Sequence, residues 1–149
     1  MTPSRHIIAS LALGAIFWFF AKSFYAGLLC FASGVFSDAD HFIEYMIHFG
    51  WKGLSYKNVY YVSQQTQKRV GNKRFNKLYI VFHIGEIAIL LWVLVIWTRN
   101  IYLLAIATGY TVHLIIDTLG NRGYPRCYFL LGRFISGFDT DKLLRPKKT

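Results

Sequence analysis

The residues of this chain best suited to chemistry are imidazoles and carboxylates, and they fall at matching ends of its apolar segments. Ser37-Asp38-Ala39-Asp40-His41 follows one apolar run, His83 and Glu86 open another, His113 and Asp117 close a third, and His6 heads the first. Ionisable groups beside hydrocarbon are costly and usually functional. Carboxylates and imidazoles relieve that cost together when they share a cation. On a helix, His113 and Asp117 stack on one face at i,i+4, and His83/Glu86 and Asp38/His41 do so at i,i+3. Asp40 points away from that face. Its position predicts an irregular turn, a ligand of a second ion, or a group that orients a ligand.

The set contains imidazole and carboxylate and needs no thiolate, which suits a divalent metal: zinc by preference, manganese or iron otherwise. The predicted metal ligands are His6, Asp38, Asp40, His41, His83, His113 and Asp117. These exceed the needs of one tetrahedral ion, so one or two ions are expected, with the surplus orienting ligands or serving as bases. Glu86 and Asp40 are the catalytic candidates. Zinc lowers the pKa of a bound water to about 7, and two ions about 3.5–4 Å apart clamp a phosphoester. Any one of these histidines taken alone is explained as well by a helix–helix hydrogen bond. The coincidence of several at one level favours the metal. Glu44 could join the His41 face, His48 is expected at the membrane surface, and Asp139 and Asp141 are expected to be solvated.

Apolar helices must position these groups. Hydrophobic residues make up 54% of the 149, above the usual share of a soluble domain, and the mean hydropathy is +0.34. Spans are predicted at about 7–21, 24–41, 78–97 and 101–119, near the roughly 20 residues a crossing needs. The acidic motif can continue the second helix through 42–49. Residues 52–77 form a basic loop, and 125–149 form an interfacial tail mixing aromatics with bases. The first run carries Trp18 and three phenylalanines with no convincing cleavage site, so it is expected to be retained rather than removed as a signal peptide. Trp18, Trp92 and Trp97 suit interface or lipid-facing positions. Cys30 and Cys127 make no disulfide framework.

Charge sets the orientation. Four crossings place Arg5, the bases of the central loop and those from Arg122 onward on one side, leaving only Lys22 and Arg99 of 17 bases on the other. That asymmetry is a positive-inside signal. The expected fold is therefore an all-α integral membrane four-helix bundle, a single domain over 1–149, with both termini on the cytoplasmic side and an interfacial C-terminal segment. A multi-pass location in a bacterial inner membrane follows. Bundles of this kind can collect Glu, Asp and His around metals. The net charge of +10 suits anionic lipid headgroups, and no nucleic-acid partner is expected.

Ser37-Asp38-Ala39-Asp40-His41, with Gly109-Tyr110-Thr111-Val112-His113-Leu114-Ile115-Ile116-Asp117, resembles the family of membrane-bound metal-dependent hydrolases of the inner membrane, the LexA-regulated group. The likeness runs from about His6 to Tyr124. It includes the early histidine, a His on the third span and glycines after the last helix, here Gly120 and Gly123. Ser37 stands where the family carries proline, and Phe82-His83-Ile84 keeps only the histidine of the third motif. The resemblance implies a metal-dependent hydrolase and leaves its substrate open.

The expected function is hydrolysis near the cytoplasmic headgroups, on a lipid-like substrate such as a phospholipid or polyprenyl phosphate ester. The rivals are a non-catalytic metal-stabilised scaffold or transporter subunit, and a di-iron membrane oxidase. The last would use repeated Glu-x-x-His pairs, whereas His83 and Glu86 occur in the reverse order.

Overall fold

A computed structural model describes residues 3–51, 55, 82–120 and 125–143. Most of the basic loop (52–54 and 56–77), the start of the third expected span (78–81), the turn at 121–124 and the basic end (144–149) lie outside the described residues. So do the side chains of Glu44, His48 and Asp141. The helices are α1 (Pro3–Ala21), α2 (Phe24–Phe36), α3 (Ala39–Phe49), α4 (Gly85–Thr98), α5 (Ile101–Gly120), α6 (Leu130–Ile135) and α7 (Thr140–Leu143), with a 3₁₀ turn at Pro125–Tyr128. There is no strand among the described residues, so the class is all-α. The chain divides into two compact units: Met1–Ser37 with Gly85–Asn121, and Asp38–Ile84 with Arg122–Thr149.

The first unit is built from α1, α2, α4 and α5. Its two helical hairpins close on single residues in the left-handed region, Lys22 (φ 49°) and Arg99 (φ 51°). Each is followed by a capping side chain. The Ser23 hydroxyl accepts from the Ala26 amide at 3.3 Å, and Asn100 Oδ1 accepts from the amides of Tyr102 and Leu103. These caps satisfy donors that a helix start leaves open. Small residues then let the helices approach. Ala26, Cys30 and Ala105 form a buried core, with Leu13, Phe17, Ala21 and Leu29 packed against it. A Cβ on Gly109 would run into the Cys30 carbonyl and the Ser33 hydroxyl. Hydrogen at this position therefore fixes how closely α2 and α5 pack, one turn before His113.

Helix α5 is the one helix among the described residues long and apolar enough to cross a membrane. Residues His6–Ala21 and α4 are shorter apolar stretches. None of the residues of α4 is buried; Ile89, Leu90, Val93, Ile96 and Trp97 are all exposed.

Two of the expected helices have different bounds. The second helix does not run to residue 41 but stops at Phe36, and α3 begins afresh at Ala39. Ser37 contributes to the break: its hydroxyl returns to the Ser33 carbonyl at 2.8 Å, a side-chain bond that bends helices. The third helix starts at Gly85, so His83 precedes it and shares no helical face with Glu86. The Phe82 amide goes to the Asp40 carboxylate rather than into a helical ladder, which keeps 82–84 out of the helix.

In the second unit, α6 exposes Leu131, Phe134 and Ile135 while Arg133 is buried. Gly137 (φ 65°) and Phe138 (φ 58°) then reverse the chain towards α7.

Candidate metal centre

The second unit gathers Asp38, Asp40, His41 and His83. Asp40 lies in the first turn of α3 and is 2% exposed. Its Oδ2 accepts twice, from the Phe82 amide at 2.7 Å and from His83 Nδ1 at 3.0 Å. One carboxylate oxygen thus fixes both the backbone and the ring of a segment without helical hydrogen bonds of its own. An Nδ1–H that donates to Asp40 leaves Nε2 of His83 as the lone-pair atom.

That lone pair lies near further candidate ligand atoms. His83 Nε2 lies 3.6 Å from Asp38 Oδ1, and His41 Nε2 lies 3.7 Å from the same oxygen. The two rings stand 5.1 Å apart at 50°. A neutral imidazole lone pair turned on a carboxylate oxygen repels it unless a proton or metal ion lies between. Distances of 3.6 and 3.7 Å exceed hydrogen-bond length. Ligand atoms about 2.0–2.1 Å from zinc at tetrahedral angles stand roughly 3.3 Å apart, so the spacing is slightly open for a shared ion. Asp40, His41 and His83 also offer ligand atoms within 4.8 Å of one another. The second oxygen of Asp40, Oδ1, is buried with no hydrogen-bond partner among the described residues. Such an acceptor costs about 1–3 kcal/mol unless a cation or proton meets it. This buried Asp/His cluster could hold a metal ion, and the donor chemistry fits one.

The first unit gathers His6, His113 and Asp117. His113 and Asp117 lie one turn apart on α5, and His6 stands in the second turn of α1. Asp117 Oδ1 is 3.1 Å from His6 Nε2, and its Oδ2 is 3.6 Å from His113 Nε2. The imidazole centres are 4.7 Å apart. All three side chains are buried, His113 at 1% exposure. The His6 contact is a hydrogen bond in its own right. His6 Nδ1 is buried with no hydrogen-bond partner among the described residues.

Taken unit by unit, the expected ligands are Asp38, Asp40, His41 and His83 in one and His6, His113 and Asp117 in the other. Glu86 belongs to the first unit, partly buried in the opening turn of α4. Spacing alone did not single out Arg133, which is 2% exposed and donates from Nη2 to the His83 carbonyl at 2.7 Å. Its signal in the sequence is a single base within the apolar stretch Leu130–Ile135. The chain matches no family model, no curated protein and no solved structure.

Proposed function

We propose that this protein is a membrane-embedded, metal-dependent hydrolase that acts on a phosphate ester of a lipid, such as a phospholipid or a polyprenyl phosphate, at the cytoplasmic headgroup level of a bacterial inner membrane. The observation that carries the reading is the convergence of three candidate ligand atoms: His41 Nε2 and His83 Nε2 stand 3.7 and 3.6 Å from the same Asp38 oxygen, beyond hydrogen-bond length. The resemblance to membrane-bound metal-dependent hydrolases points the same way.

The chemistry divides among these residues. Asp40 holds the proton of His83 on Nδ1 and so keeps Nε2 free to bind. Asp38, His41 and His83 would hold the ion, with Asp40 Oδ1 as a further ligand or as the acceptor of a proton. A divalent ion there supplies an acidified water and polarises a phosphoryl oxygen. In the first unit, Asp117 holds His6 by a hydrogen bond and faces His113, a second carboxylate–imidazole group suited to a second ion.

A membrane setting is supported by α4, which is apolar on every face and leaves Ile89, Leu90, Val93, Ile96 and Trp97 exposed. A helix apolar all round belongs in an apolar medium. Placing five such side chains in lipid rather than water is worth roughly 10 kcal/mol. The four-span bundle, its cytoplasmic termini and contact with anionic headgroups form part of this proposal on the strength of the charge asymmetry.

The test is hydrolysis by detergent-purified protein. Phospholipid and polyprenyl phosphate substrates should release product only with zinc or manganese present. A chelator should stop the reaction and added metal restore it. Metal-loaded protein that hydrolyses neither substrate would support a metal-stabilised scaffold instead.

A further inference from the structure

We infer that Arg133 is a positioning residue for the metal ligand His83, an assignment that rests on the metal reading above. Arg133 is buried on α6, and its guanidinium reaches two carbonyls: Nε donates to Cys127 O, and Nη2 donates to His83 O at 2.7 Å. Burying a guanidinium is costly unless its donors are met, and its planar fork can meet two acceptors at fixed angles.

His83 lies outside any helix, so no ladder holds its backbone. Side chains from elsewhere help to fix the dipeptide instead. The Phe82 amide and the His83 ring donate to Asp40 Oδ2, and the His83 carbonyl accepts from Arg133. Asp40 sets the tautomer and one edge of the ring. Arg133 sets the peptide from which the ring projects, and with it the direction of Nε2. The last part of the chain thus acts on the ligand through the backbone, although it lies beyond the motifs of the family resemblance.

Three variants of the full chain, reconstituted with cobalt(II) in detergent, test the assignment, because the visible bands of cobalt report ligand geometry. Arg133→Gln should weaken cobalt binding about 10- to 100-fold, the usual effect of losing a group that orients a ligand, and should change the bands. Arg133→Lys reaches one carbonyl but not both and should recover part of the loss. Arg126→Gln serves as the control: Arg126 binds the Lys142 carbonyl at an exposed site in the same unit and should leave affinity and bands unchanged. Arg133→Gln with affinity within twofold of wild type and identical bands would overturn the assignment. So would failure of both Arg133 variants to fold, which would make Arg133 a prop of the fold rather than of the ligand. Wild-type protein that binds no cobalt would remove the metal reading itself, an outcome distinct from Arg133 variants that bind as wild type does.

Discussion

The two imidazole–carboxylate groups use the same chemistry on different scaffolds. In the first unit, Asp117 and His113 project from one continuous helix, and His6 from another. In the second, His83 lies on non-helical backbone held by side chains reaching from elsewhere: Asp40 to its ring and to the Phe82 amide, Arg133 to its carbonyl. The first group has a contact at hydrogen-bond length, His6 to Asp117 at 3.1 Å, beside the 3.6 Å separation of His113 from the same carboxylate. The second brings His83 Nε2 and His41 Nε2 to 3.6 and 3.7 Å from one Asp38 oxygen, an arrangement that could hold a cation. A regular helix can carry such a group without assistance. A loop carries one only when other residues hold its peptide groups, so its ligand geometry is the easier of the two to disturb.

The largest expected effect separates the groups directly. His83→Ala should abolish metal binding by the second unit, a loss exceeding the 10- to 100-fold cost of a missing orienting group, while helical content by circular dichroism stays at the wild-type level. Asp40→Asn should weaken metal affinity by about 10- to 100-fold in a competition titration, because the amide still accepts the Phe82 N–H but no longer carries charge to orient His83.

Asp117→Asn should act mainly on stability. It removes the charged partner of His6 in a buried site and should cost about 1–3 kcal/mol in detergent unfolding. If it instead removes metal without altering stability, the first group is a metal site of the same kind as the second, and the contrast between them disappears. Gly109→Ala should cost about 1–3 kcal/mol through its clash with Cys30 and Ser33, with cobalt bands of the second unit unchanged. Arg99→Gly should be the mildest and should stabilise by about 0.5–1 kcal/mol, since glycine adopts the left-handed conformation of that turn freely.

The helical class was legible because the apolar runs are long and broken by short polar pairs. Lys22-Ser23 and Arg99-Asn100 mark the hairpin turns, and the structure explains them as left-handed residues followed by caps. The pairing of His113 with Asp117 was legible too, because α5 keeps its period without interruption. His83 was not. The apolar run continues across it with no change in composition, and the contact that keeps this segment out of the helix is the Phe82 amide's bond to Asp40, 42 positions earlier in the chain. The end of α2 at Phe36 was hidden for a related reason: Asp38 and Asp40 could equally have continued one amphipathic helix, and the Ser37 bond that bends the chain has only a weak sequence signal. Arg133 escaped notice because the tail contains many bases, and only burial sets this one apart.

The central claim is that Asp38, Asp40, His41 and His83 hold a metal ion. Elemental analysis of detergent-purified wild-type and His83→Ala protein tests it most directly. The wild type should carry bound zinc, manganese or iron in stoichiometric amount, and the variant should carry less by one ion per chain. Wild-type protein that carries none and takes up none when each metal is supplied, or a variant with the full wild-type complement, would contradict it.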